Sequence, residues 1–251
     1  MHKRWLLFFI SIIQLLNSFS QSCDSLCLKA AQFESQFNEK QALNYYKQAA
    51  VIEPKNLDVL YKCADLCQRI GSREKDEKRK LQLIDEAFLF AKSAFKYHPN
   101  SDKSCVIMSV VLGSIALNKS GSEKLDAVKE VKKYSEKALS INPQNFLAWY
   151  VLGRWHFELS NLNFIEKSAI RIFFGGMPDA SFSKAINAFE KSKSLKPNFC
   201  LDYLQLAKAY YANKQKDKAK TILHQLSKLP NSTFADKDIK NQGLSLLKEW
   251  D

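Results

Sequence analysis

Cysteine is the residue type in this chain with the widest choice of chemistry. The six cysteines are Cys23, Cys27, Cys63, Cys67, Cys105 and Cys200. The first four form two pairs spaced i, i+4, which a helix places on one face. Such pairs could form disulfides between neighbouring helices in an oxidising compartment, hold zinc through four thiolates, or fill tight helix contacts as small apolar side chains. The C-x₂-C spacing of common zinc motifs is absent, so we expect no metal and leave disulfides among these four open.

Catalytic motifs are absent from the sequence. It contains no phosphate-binding glycine loop, no H-E-x-x-H and no G-x-S-x-G. Its four histidines are scattered, and no spacing brings a pair of carboxylates together. We therefore expect no enzyme activity and no cofactor, and we look for an interaction surface instead.

An internal repeat is the strongest pattern in the chain. Four segments end in an apolar residue, one further residue, a proline and then an asparagine within two positions; the prolines are Pro54, Pro99, Pro143 and Pro197. Small or aromatic residues precede each proline at steps of four and three, which places them on one helical stripe. Proline ends a helix, and asparagine can cap the next one. The pattern predicts helix pairs.

One repeat also carries the first-helix signature of a tetratricopeptide unit, Trp149-x₂-Leu152-Gly153-x₂-His156, with histidine in a usually aromatic position. The prolines are 45, 44 and 54 residues apart, against about 34 in that family. We place the extra length inside the pairs, most of it at 161–183. Thr233-x-x-Asp236 resembles a capping box that opens a last helix to Trp250. The predicted fold is all-α, a tetratricopeptide-like superhelix of about five helix pairs plus a C-terminal capping helix, over residues 23–251.

The first residues resemble a leader. Met1–Trp5 is basic, Leu6–Leu16 is apolar apart from Ser11 and Gln14, and small polar residues follow. These are the three parts of a secretory signal, and the apolar run is shorter than the ~20 residues that span a bilayer. We expect residues 1–20 to be a signal peptide and the protein to be exported, to a periplasm, the medium or a secretory lumen. The alternative is a membrane anchor with the chain facing the cytoplasm.

Two stretches of the fourth unit resemble the regulator of microtubule dynamics family. They are Leu152-Gly153-Arg154-Trp155 and residues 169–178, Ala-Ile-Arg-Ile-Phe-Phe-Gly-Gly-Met-Pro. The resemblance runs from about Leu60 to the C terminus. It implies a compact helical domain with interaction functions, and a cytoskeletal or mitochondrial location linked to microtubules and organelle membranes. An exported chain would not meet tubulin, so microtubules are expected only if the chain faces the cytosol.

Two surfaces are candidate binding sites. In tetratricopeptide proteins the first helix of each pair lines the concave face, which by register contains Tyr61, Lys62, Val106, Val110, Tyr150, Arg154, Phe157, Lys208 and Tyr211. Arg154 and Lys208 could hold an anionic group there. The inserted segment is too apolar to lie free in water, notably at Ile170, Phe173 and Phe174. It either packs on the solenoid as core or closes one side of an apolar groove.

The formal charge of +12 suits acidic partners, among them an anionic membrane surface. The positive charge is spread and mixed with acids, as in 73–80, and we expect no nucleic acid. The leading hypothesis is a monomeric scaffold that binds a protein segment in its groove. The alternatives are a carrier of lipids or amphipathic ligands and a microtubule-associated protein.

Overall fold

A computed structural model of the chain describes residues 22–250, and within that range every regular element is a helix. The twelve helices are α1 Cys23–Ser35, α2 Glu39–Ile52, α3 Leu57–Gly71, α4 Glu77–Tyr97, α5 Asp102–Asn118, α6 Gly121–Ile141, α7 Phe146–Ser160, α8 Phe164–Phe174, α9 Phe182–Leu195, α10 Cys200–Ala212, α11 Lys216–Lys228 and α12 Asp236–Trp250. The expected leader at 1–20 lies outside the described residues, so its boundary with the helical domain stays a prediction.

The helices form five antiparallel pairs and a cap. The pairs are α1/α2, α3/α4, α5/α6, α7/α9 and α10/α11, and α12 packs on the last pair. First helices of neighbouring pairs also contact one another: α3 contacts α5, and α5 contacts α7. Because the second helices lack comparable contacts, the first helices form the inner layer of a curved array. The all-α superhelix of five pairs plus a capping helix is confirmed.

Asparagines after the repeated prolines cap two of the four following helices. The side chain of Asn56 accepts hydrogen bonds from Asp58 N and Val59 N, and Asn145 accepts one from Ala148 N. The same expectation is wrong at Asn100 and Asn198, where Ser101 and Phe199 occupy the cap position without a side-chain bond. In these two turns asparagine follows proline directly and falls one residue short of the cap.

Small residues on the repeated stripe let the two helices of a pair approach closely. The stripe alanines Ala42, Ala87, Ala138 and Ala185 are fully buried. In the fourth pair, Gly153 of α7 faces the buried ring of Phe189 so closely that a Cβ at position 153 would stand 2.7 Å from Phe189 Cδ1. This contact explains why glycine occupies position 153.

The last helix covers the end of the array. Its first residue, Asp236, is buried and accepts hydrogen bonds from the backbone N–H groups of Ser232 and Thr233. At its other end, the ring of Trp250 stacks on Tyr211 of α10 with centroids 4.0 Å apart. Gly243 lets α12 approach Leu226 of α11. The capping role and the helix end at Trp250 follow the expectation from sequence.

All six cysteines are free thiols in the structure, and five of them are buried. Burial raises the pKa of the Cys67 thiol to about 12, and nearby Glu86 adds to the rise. Burial also raises the pKa of Cys23 to about 12, with a further contribution from Cys27 one turn away. These thiols therefore stay protonated at neutral pH. No cluster of three or more potential metal ligands occurs among residues 22–250.

Candidate partner-binding groove

The inner layer carries a cavity of about 450 Å³ where α3, α5 and α7 meet. Tyr61, Lys62 and Val106, three of the residues expected in the groove, line it together. The wall is completed by Asp58, Asp102, Lys103, Asn142, Gln144, Asn145, Phe146 and Leu147. The cavity therefore combines an apolar wall with amides and charges of both signs.

Charges in this cavity are held by their neighbours. Lys62 Nζ pairs with Glu34 at 2.8 Å, and Lys103 Nζ pairs with Asp58 at 2.7 Å. The side-chain amides of Asn142 and Asn145 donate to Asp102 Oδ2 at 2.8 and 3.0 Å. Sequence reasoning missed these two amides as groove residues, although both belong to the repeated turn after α6 and their position there was the available signal.

A second opening lies beside Lys208 of α10. Residues of the capping helix complete it: Asp238, Asn241, Gln242, Ser245 and Leu246. Lys208 has no ion-pair or hydrogen-bond partner within residues 22–250. Burial lowers its pKa, the nearby Arg154 cation lowers it further, and Glu158 opposes both. A half-buried lysine close to a second cation would gain energy from a bound anion.

Arg154 joins α7 to this basic region. Its guanidinium donates to Glu158 Oε1 at 2.7 Å and to Tyr150 Oη at 3.4 Å. Burial alone would lower the Arg154 pKa, but Tyr150 and Glu158 outweigh it and the pKa is raised. The buried Nε has no acceptor. One donor of Arg154 is thus unused next to Lys208.

The other residues expected in the groove serve internal packing. Tyr150 is buried and its ring meets Phe199 and Phe189. Phe157 is also buried, with its ring against Phe182. Tyr211 is covered by Trp250, and Val110 packs on the core. The residues expected in the groove therefore fall into three groups. Some line the cavity at α3–α5, Arg154 and Lys208 form a basic site at α7–α10, and the rest pack inside the protein.

The inserted segment forms α8, which begins at a capping box between Asn163 and Glu166 and ends at left-handed Gly175. Only Ile170 is buried, and Phe174 is partly buried against the core. Phe173 is 38% exposed. Ile170 thus packs as core, which is one of the two expectations, whereas Phe164, Ile165 and Ile172 are exposed. Whether α8 also closes one side of a groove stays a prediction.

Sequence comparison identifies the family. A sequence model described as "Regulator of microtubule dynamics protein 1-3" matches residues 26–251. The chain belongs to this family.

Two relatives show how far the similarity to the regulator of microtubule dynamics family extends. Regulator of microtubule dynamics protein 1 of Pongo abelii is 25% identical over 235 residues, covering 92% of this chain and 71% of the relative. The Caenorhabditis elegans protein of that name is 22% identical over 192 residues, which cover 76% of this chain and 84% of the relative. The resemblance stated from sequence is confirmed.

A solved structure supports the fold. A thermophilic tetratricopeptide protein of Thermus thermophilus aligns with a TM-score of 0.62 at 16% identity, over 90% of this chain and all of that chain. At this identity the likeness concerns the fold alone.

The expected export is wrong. The relatives carry names that tie them to microtubule dynamics, and microtubules lie in the cytosol, which an exported chain does not share. Whether residues 1–20 act as a signal peptide or as a membrane anchor is untested, because they lie outside the described residues. Among the described residues, no helix has both the length and the apolar character needed to cross a bilayer.

Proposed function

We propose that this member of the regulator of microtubule dynamics family is a non-enzymatic, monomeric repeat scaffold that binds a protein segment along its inner layer. The observation that carries the proposal is the site at α7 and α10. There Lys208 forms no ion pair or hydrogen bond among the described residues, although Glu158 is near, and the neighbouring Arg154 keeps a buried unused donor. Such a site suits an acidic side chain of an extended partner.

The cavity at α3–α5 supplies a second anchor. Its apolar wall, with Val106 and Leu147, can receive an apolar side chain of the same segment, and the amides and charges around it can fix the backbone. Tyr61, Lys62, Val106, Arg154 and Lys208 are therefore the proposed contact residues. Val110, Tyr150, Phe157 and Tyr211 position them by packing.

Microtubules are the partner that the names of the relatives favour. Tubulin has acidic tails, which a chain with a charge of +12 attracts in a salt-dependent way. Once export is set aside, the sequence-based objection to tubulin no longer applies.

Co-sedimentation with polymerised tubulin tests this function. We expect binding at low salt that weakens as salt is added, and a loss of about two- to tenfold in affinity for Lys208→Gln. Lys191→Gln is the matched control, because it removes the same charge from an exposed position on the outer helix α9. If the chain does not pellet with tubulin, or if both variants weaken binding equally, a groove site for microtubules is refuted.

A lipid or other amphipathic ligand is the second candidate, favoured by the cavity where Phe146 and Leu147 lie beside Lys62. An apolar tail would lie on the aromatic wall and an anionic head near the lysine. Native mass spectrometry on protein purified without detergent is the test. A mass that corresponds to the bare chain, and that added lipid leaves unchanged, argues against this candidate.

A further inference from the structure

The outward face of α8 is a contiguous apolar surface. Phe164, Ile165 and Ile172 are 84%, 79% and 84% exposed, and Ala169 between them is exposed as well. Ile165, Ala169 and Ile172 are four and then three residues apart and lie on one stripe, on the side away from the buried Ile170, and Phe164 lies beside this stripe. Phe173 and Met177 extend the surface at its C-terminal end. Singly exposed apolar residues need no explanation, whereas a contiguous exposed patch indicates an interaction site.

Basic charge surrounds α8. Glu166 lies 3.8 Å from Lys124, and Asp179 is bound by Lys184, so both local acids have a cationic neighbour. Lys167 and Arg171 have no acidic partner within the described residues. Four cations against two acids leave a local charge of +2 around the helix.

We propose that α8 docks this chain on an anionic membrane surface, with its outward face in the boundary between headgroups and acyl chains. The helix has 11 residues, or about 16 Å at 1.5 Å per residue. This is too short to cross the ~30 Å hydrocarbon core but long enough to lie in its plane. Lys167 and Arg171 then meet lipid phosphates while the isoleucines enter the acyl region.

The attachment of α8 suits this role. The helix is held to the solenoid through Ile170 and Phe174, and α7 and α9 pack on each other without it. Docking therefore requires no opening of the core. The positive charge also favours an anionic membrane over a second copy of the chain. A second copy would place its own Lys167 and Arg171 against the same two cations, which would repel them. The proposal does not depend on the groove.

Vesicle binding with a local readout tests the proposal, because the chain has a second apolar run at Leu6–Leu16. The full chain is mixed with vesicles of phosphatidylcholine, with or without phosphatidylserine, that carry a photoreactive phospholipid. Crosslinks are mapped by mass spectrometry. We expect crosslinks within 161–183 with the anionic vesicles, and about tenfold fewer after Ile165→Asn with Ile172→Asn. Lys167→Gln with Arg171→Gln is expected to reduce them selectively on anionic vesicles.

The matched control replaces Leu28 and Val51 by Asn, since these side chains are as exposed but lie on α1 and α2. It should leave the crosslinks in 161–183 unchanged. Crosslinks that fall only outside this segment, or that survive the α8 substitutions, overturn the proposal. So does a dimer in analytical ultracentrifugation that the Ile165 and Ile172 substitutions dissolve, because a second copy would then cover the face.

Discussion

Asp202 of α10 is a fully buried carboxyl group that forms no ion pair among the described residues. Burial raises its pKa to about 8, although the Ser192 hydroxyl and Lys193 act in the opposite direction. The group is therefore protonated in the folded protein at neutral pH. Sequence could not reveal this, since an aspartate in the first turn of a helix is usually exposed and charged there.

Asp202 should lower the free energy of unfolding as the pH becomes alkaline. The folded pKa of about 8 lies above the ordinary 3.8, so the folded state holds the proton more tightly. The stability contribution is complete below pH 3.8 and is lost as the pH rises towards 8. Near pH 8 we expect Asp202→Asn to exceed the wild type by about 1–3 kcal/mol in free energy of unfolding. Denaturant titrations across this window measure the difference, and parallel pH profiles for the two proteins would contradict it.

His156 has the opposite pH dependence. It is buried in the position where the tetratricopeptide signature has an aromatic residue, beside Trp155. Burial lowers its pKa from 6.5 to about 4, and the cations Lys184 and Lys132 lower it further. The unfolded chain therefore takes up the proton first as the pH falls, and the contribution of His156 to stability is present above pH 6.5 and lost towards pH 4.

His156→Phe should remove this acid sensitivity. Phenylalanine fits the aromatic position and cannot be protonated, so we expect the variant to keep more of its free energy of unfolding than the wild type as the pH falls from 6.5 to 4. Thermal unfolding monitored by circular dichroism in this range is the measurement. Asp202→Asn serves as the control, because it alters the slope with the opposite sign.

At the scale of the helices, sequence predicted the pairs but not which side of α8 meets the solenoid. The repeated prolines and the small residues of the stripe act through local sterics, so they report helix ends and contacts directly. The side of α8 that meets the solenoid depends on where α7 and α9 lie, which no local pattern contains. Val110, Tyr150 and Tyr211 were likewise placed on the correct helices, but the rings that cover two of them come from distant segments.

The close approach of α7 and α9 predicts a large effect of one methyl group. Gly153→Ala would place a Cβ 2.7 Å from Cδ1 of Phe189, and we expect a loss of about 1–3 kcal/mol in free energy of unfolding. Gly113→Ala is the control, because nothing lies within 4 Å of a Cβ at that helical position. There alanine should stabilise by about 0.5–1 kcal/mol through helix propensity. Equal effects of the two variants in urea unfolding would contradict this account.

At the scale of the whole molecule, each pair contacts mainly the pairs beside it, so stability should vary along the array. Deletion of residues 236–251 would uncover Leu223 and Leu226 of α11 and the ring of Tyr211. We expect amide hydrogen exchange to accelerate most in α10 and α11 and least in α1 and α2. Leu244→Ala, at an exposed position of α12, is the control and should not change the pattern. Uniformly faster exchange would instead indicate one cooperative unit.

The fourth pair shows where this architecture tolerates a change of chain length. The chain leaves after Ser160 and returns at Phe182, yet α7 and α9 meet as the helices of any other pair do. Closure of a loop costs free energy that grows only with the logarithm of its length. Lengthening or shortening the excursion therefore leaves the register of the repeat unchanged, so a lineage could acquire, alter or lose the helix there without redesigning the array.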